Sequence, residues 1–219
     1  MNKQLFTLLT GAIAITLLYH FNVFQMIGQI FGFNGVKEPQ YSLIQKTPYQ
    51  IRKYESYVIA KIAMKEDNKD QAFRALARYI GVFGKPENTQ NQSLVMTVPV
   101  LQEPVKMEMT APVIFENGYM SFVLPEKYKQ VEQSPQPLNK EISLEKVDEK
   151  NIAVLQFSGY GKNEDFNQKL EELIQLMKKD KHIKENAKQE DLNVQFARYN
   201  PPFCIPMFRR NEVWINMEK

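Results

Sequence analysis

The chain has 219 residues, 28 Lys and Arg against 25 Asp and Glu, and a formal net charge of +3. At 43% hydrophobic and 24% charged it has a globular composition, neither disordered nor polytopic, and its charge is too small to argue for nucleic-acid binding. One cysteine and two histidines exclude an intramolecular disulfide and a self-contained structural zinc site, so no metal site is assigned.

Residues 4–36 contain no Lys, Arg, Asp or Glu, and within them residues 5–24 are apolar over roughly the length a helix needs to cross a hydrocarbon core. This segment reads as one membrane span. A cleaved signal peptide is the rival reading, but the stretch is long for a signal core and no small-x-small site follows it; Ala12-Ile-Ala14 lies inside. Tyr19, Phe21 and Phe24 suit an aromatic belt, with His20 at the boundary, and residues 23–33 suit an interfacial segment or tether. Lys3 and the terminal amine place the N-terminus on the cytoplasmic side, which makes the rest of this single-pass protein extracytoplasmic. The expected division is therefore a membrane anchor and tether over residues 1–36 and a folded domain over residues 37–219.

All 12 prolines lie at or beyond Pro39, where short strands and two helices begin. Residues 54–62 are aromatic and β-branched, with Val58, Ala60 and Ile62 on one strand face. Residues 70–80 change period: Phe73, Leu76, Ala77 and Ile80 make a helical stripe, and Gly81 and Gly84 can end it. Leu94, Met96, Val98 and Val100 alternate, as do Met107, Met109, Ala111, Val113 and Phe115, before an Asn117-Gly118 hairpin turn and a strand through Met120, Phe122 and Leu124. The order recurs: a strand over residues 152–157, Asn163 as helix N-cap, a helix face of Phe166, Leu170, Leu173, Ile174 and Met177, then strands over residues 192–196 and 213–215. Strand, helix, strand, strand thus occurs twice, separated by Ser134-Pro-Gln-Pro137, which points to a duplicated unit whose helices pack on one antiparallel sheet or barrel.

Enzymatic motifs are scarce. There is no Gly-x-Ser-x-Gly, no phosphate-cradling glycine loop and no His-Glu-x-x-His, and neither histidine has a partner to build a triad. His182 follows a lysine-rich helix end and reads as solvated. Cys204, in Pro201-Pro-Phe-Cys-Ile-Pro206, is a thiolate ligand, a nucleophile or a packed side chain. The repeat of Met96-Thr-Val-Pro-Val100 in Met109-Thr-Ala-Pro-Val113 fills a core or walls a pocket for a flat apolar ligand. Arg74 and Arg78 lie one helical turn apart beside the apolar stripe, either as a solvated face or as a pair of cations for a dicarboxylate.

Tyr49-Gln-Ile-Arg-Lys-Tyr-Glu55, Ala72-Phe-Arg-Ala-Leu-Ala-Arg-Tyr-Ile80, the two Met-Thr-x-Pro-Val segments, Phe157-Ser-Gly159, Tyr199-Asn-Pro-Pro202 and Arg209-Arg-Asn-Glu-Val-Trp214 follow one another in an order that resembles the SOUL haem-binding protein family. The resemblance implies an α+β fold of duplicated βαββ units, an eight-stranded distorted antiparallel β-barrel flanked by two helices. It also implies haem or a related tetrapyrrole, bound non-covalently at an apolar surface beside the first helix. Arg74 and Arg78 match basic positions there and are the candidate propionate contacts; Phe73, Ala77 and the 199–208 loop, with Phe203 and Cys204, border the ring. Some members carry a basic residue after the Pro-Pro pair, where this chain has Phe203-Cys-Ile205. A histidine proposed as iron ligand in some relatives has no counterpart, so any haem lacks a strong axial ligand from the protein. Arg209-Arg-Asn-Glu212 fits a buried salt-bridge network as well as a ligand site. The expected function is membrane-anchored, non-catalytic haem or tetrapyrrole buffering, transport or presentation. The alternatives are a sensor or adaptor for another amphipathic small molecule, and a tetrapyrrole-modifying enzyme. No protein partner is named by the sequence.

Overall fold

The computed structural model describes residues 27–33, 35–89 and 106–217. Eleven strands and two long helices follow in order: β1 (Tyr41–Gln45), β2 (Gln50–Tyr54), β3 (Tyr57–Ala63), α1 (Lys69–Ile80), β4 (Asn88–Thr89), β5 (Val113–Glu116), β6 (Tyr119–Val123), β7 (Gln136–Pro137), β8 (Ile142–Val147), β9 (Lys150–Phe157), α2 (Asn163–Lys179), β10 (Val194–Arg198) and β11 (Asn211–Met217). Nine of the strands form one curled antiparallel sheet in the order β1-β2-β9-β11-β10-β5-β6-β3-β8, and β4 pairs with β7 separately.

The duplication is visible in this order. β3-α1-β5-β6 and β9-α2-β10-β11 are the two units, and they meet at the β5–β10 seam so that each reads outward in mirrored sequence. The strand before each unit crosses over: β2 pairs with β9 of the second unit, and β8 with β3 of the first. That accounts for eight strands. β1 is a ninth, and with it the expected closed eight-stranded barrel is corrected to a nine-stranded half-barrel. The sheet ends on two edges, the largely exposed β1 and the partly buried β8, with no ladder between them.

Period-two alternation decides which residues meet the helices. On the convex face Val58, Ala60 and Ile62 of β3 and Met120 and Phe122 of β6 pack under Ala72, Leu76, Ala77, Tyr79 and Ile80 of α1. Ala153 and Leu155 of β9 and Val213 and Ile215 of β11 pack under Phe166, Leu170, Leu173, Ile174 and Met177 of α2, the face expected from the sequence. The intervening residues, among them Tyr54, Ile59, Ile114, Ile152, Val154 and Trp214, fill the concave side.

Three local expectations shift. The alternation from Met107 to Phe115 becomes a strand only at Val113, because Pro112 has no N–H to give the ladder; Met107 and Ala111 are buried while Met109 is exposed. Asn163 is the first residue of α2 and not its cap: the backbone N–H of Lys162 donates to Asp165 Oδ2 at 2.9 Å. Tyr79 and Ala72, not Phe73, complete the buried stripe of α1. The Asn117-Gly118 hairpin turn is present, both residues at positive φ. The strand expected over residues 94–100, with the first Met-Thr-x-Pro-Val segment, lies outside the described residues, as does the expected membrane span over residues 5–24. Among the described residues no helix is long and apolar enough to cross a membrane.

Candidate functional site

Helix α1 holds four of the expected ligand contacts, and the sheet beneath it determines which of them face outward. Leu76 and Ala77 are locked against β3 and β6, which turns Arg74 and Arg78 to solvent one turn apart. Neither guanidinium makes an ion pair among the described residues. Phe73 sits at the margin, 41% exposed, with its ring edge-on to Phe122 at 5.4 Å. Val82 and Phe83, just past the helix end, are also exposed. Ala77 is 1% exposed and belongs to the core. The resulting surface is two cations, unpaired among the described residues, beside exposed aromatic and aliphatic side chains.

Phe203 and Cys204 occupy the loop between β10 and β11. Phe203 is 56% exposed, whereas Cys204 is 1% exposed. Burial pushes the Cys204 thiol up, against the opposing pull of Arg209, so it does not present a ready thiolate. Arg209 Nε donates to the Cys204 carbonyl at 2.8 Å and holds the loop. Residues 27–33 dock on this loop: the Ile205 N–H donates to the Ile30 carbonyl at 2.9 Å, and Asn200 Nδ2 to the Gly32 carbonyl at 3.0 Å. A Cβ at Gly32 would stand 2.5 Å from the Phe208 carbonyl oxygen, so only glycine lets the two backbones approach. Ile27, Phe31, Phe33, Phe203, Met207 and Phe208 are left as exposed large apolar side chains on these two joined segments.

A third cluster lies on the concave side. Glu212, fully buried, accepts a paired contact from Arg52 (Nη2 to Oε1 2.9 Å, Nη1 to Oε2 3.0 Å), one from Arg210 Nε at 2.8 Å, and one each from the Tyr199 hydroxyl and Trp214 Nε1 at 2.7 Å. Arg210 reaches on to Glu38 at 2.9 Å and 3.1 Å, and Arg52 to the Tyr54 hydroxyl at 2.9 Å and Gln50 at 2.7 Å. Burial alone would raise the Glu212 carboxyl; Arg52 foremost, with Arg210 and Tyr199, holds it below the ordinary carboxylate value. Two carboxylates and two guanidiniums balance, and every acceptor position of Glu212 is taken. The cluster is a structural clasp.

A family model described as SOUL heme-binding protein matches residues 36–216. The chain belongs to the SOUL haem-binding protein family. The resemblance read from the ordered motifs is thereby borne out. No curated protein matches the chain. Among solved structures it is similar to a hydrolase from Listeria innocua (8% identity, 82% of this chain and 91% of that one, TM-score 0.44). It is also similar to an uncharacterized conserved protein from Listeria innocua (10%, 84% and 94%, 0.44) and to a putative transcription regulation protein from Staphylococcus aureus (12%, 78% and 98%, 0.35). At such scores these likenesses carry no functional argument.

Within this SOUL domain the Arg209-Arg-Asn-Glu212 motif divides by strand phase. Arg209 braces the loop, Arg210 and Glu212 join the clasp, and Asn211 Nδ2 donates to the Gly159 carbonyl at 3.2 Å. The partner missed by sequence reading is Arg52. Its signal was present: in Gln-Ile-Arg-Lys-Tyr, Arg52 shares the strand face of Tyr54, an inward phase that a lone cation occupies only with a buried anion opposite.

Proposed function

We propose that this SOUL protein is a membrane-anchored, non-catalytic binder of haem or a related tetrapyrrole that buffers, carries or presents its ligand. The observation that carries the reading is the Arg74 and Arg78 pair, exposed and without ion-pair partners among the described residues, beside the exposed ring of Phe73. A tetrapyrrole with two propionates is an amphipathic dianion. Two guanidiniums one turn apart pair its carboxylates, and the aromatic margin of α1 covers apolar ring surface.

The donor set fits the propionates and not an axial bond. Cys204 is buried with its thiol pushed up, and His182 stands beyond the end of α2 with its ring centroid 6.2 Å from that of Tyr49. Haem held by carboxylate pairing and ring contact alone exchanges readily, which suits carriage better than catalysis. Membrane attachment is supported by the uncharged run over residues 4–36 and by the apolar patch where residues 27–33 dock on the Phe203 loop. Lys3 and the terminal amine support an extracytoplasmic domain by the positive-inside rule.

Titration of the full chain in neutral detergent with haem should give a Soret shift that saturates near one equivalent. An Arg74→Ala/Arg78→Ala variant should bind about tenfold or more weakly, since each charged hydrogen bond contributes roughly 1.5–3 kcal/mol before solvent screening of this exposed pair. Unchanged affinity in the double variant overturns the site; no shift at all overturns the ligand.

A further inference from the structure

The concave side of the half-barrel carries a cavity, on the opposite face of the sheet from α1. It has a volume of about 300 Å³, within the range of small-molecule sites, and its walls come from β3, β5, β6, β8, β9, β10 and β11. Two of its lining residues hold buried oxygens with no hydrogen-bond partner among the described residues: Gln195 Oε1, on a side chain only 5% exposed, and Asn216 Oδ1. An amide oxygen taken out of water and left unpaired costs free energy, and natural folds leave few of them. Here the two residues that carry them line one hollow.

The charged lining is unevenly satisfied. Glu145 pairs with Lys61. Glu116 lines the cavity half-buried and makes no ion pair among the described residues, although Lys150 is near enough to feel its charge. Lys150 lines the cavity on the inward phase of Ile152 and Val154; burial pushes its pKa below the ordinary lysine value, with Glu116 and Glu145 pulling the other way. Lys146 also lines the cavity, but it pairs in register with Val58, whose side chain lies under α1, so the Lys146 side chain takes the outward phase. Two amide oxygens and an unpaired carboxylate are all acceptors. The donors that line the same hollow, Lys150, Ser121 and Tyr57, reach neither amide oxygen, which leaves both open to a donor from a ligand.

We propose that this hollow is a binding site for a small organic cation, an alkylammonium or guanidinium group whose N–H donors fill Gln195 Oε1 and Asn216 Oδ1 and whose charge pairs with Glu116. Lys150 opposes the same cation, so the pocket holds it weakly and reversibly. The site is independent of haem binding at α1 and needs neither arginine of that helix.

The test uses three probes of matched shape and different charge: butylammonium, butyrate and 1-butanol. Saturation-transfer difference NMR on the full chain in neutral detergent reads weak binding through the millimolar range. Butylammonium should saturate and be displaced by agmatine, while butyrate and 1-butanol should not. Glu116→Gln and Gln195→Leu should each weaken butylammonium by about tenfold, the scale of a lost charged hydrogen bond. Lys150→Met should tighten it about threefold or more, because a repelling charge is removed. That opposite sign separates binding from misfolding. Stronger binding of butyrate, weaker binding in Lys150→Met, or no saturable signal from butylammonium and agmatine overturns the proposal. Loss of haem binding in Arg74→Ala/Arg78→Ala with butylammonium unaffected is the expected result for two separate sites.

Discussion

Glu212 is a charge held inside the half-barrel, and five hydrogen bonds from four residues make that tolerable. Arg52 comes from β2, Trp214 from β11 itself, and Tyr199 and Arg210 from the two ends of the β10–β11 loop, so one carboxylate ties the rim of the half-barrel together. Replacing it by Gln keeps the shape but leaves the buried Arg52 without its anion and Arg210 with Glu38 alone. Glu212→Gln should therefore lose about 3–5 kcal/mol of unfolding free energy, the usual cost of breaking a buried pair from one side. The folded-state value of Glu212 lies below its ordinary 4.5, so its contribution is fully present above that value and is lost as pH falls through the lower, folded one. Urea midpoints should show a constant gap between the two proteins from neutrality down to about pH 5, and a narrowing gap below it. A gap that widens in acid would contradict the ionised clasp.

At the scale of elements, α1 is defined by its end as much as by its stripe. Gly81 takes φ +88° and returns its N–H to Ala77 and Arg78, and a Cβ there would meet Pro86 at 2.7 Å. Gly81→Ala should cost about 1–2 kcal/mol, read as a lower thermal midpoint, and should loosen the haem surface because Arg78 lies in the last turn. Leu170→Ala, fully buried under α2, should cost about 2–5 kcal/mol while leaving haem affinity unchanged at temperatures where the protein is folded. The stripes of both helices were legible because burial on one side writes a 3.6-residue period. So was the duplication, because the two units repeat their order. The ninth strand was not: β1 is five residues long, nearly all exposed, and a one-sided edge leaves no alternation to read. The leading strand β8 was missed for the same reason, its Ile142 and Leu144 being the only apolar pair facing α1. The arginine pair of α1 was legible from spacing, whereas the cavity lined by Gln195 and Asn216 was not, since its walls come from strands more than a hundred residues apart.

For the whole molecule, the proposals give three surfaces three partners: the convex face at α1 haem, the concave hollow a small cation, and the rim formed by residues 27–33 and the Phe203 loop lipid. The rim is testable because the chain has one tryptophan and Trp214 is fully buried. In vesicles containing brominated lipid, a Phe203→Trp chain should show strong quenching of its added emission, with the Trp214 background unchanged; unquenched emission would place the loop away from the bilayer. The central claim is that the two α1 arginines recognise the ligand's two carboxylates. Haem and its dimethyl ester should be titrated into the full chain and into Arg74→Ala/Arg78→Ala. The account predicts that esterification weakens binding about tenfold or more to the native protein and little further to the variant, because both changes remove the same contacts. An equal ester penalty in both proteins would contradict it.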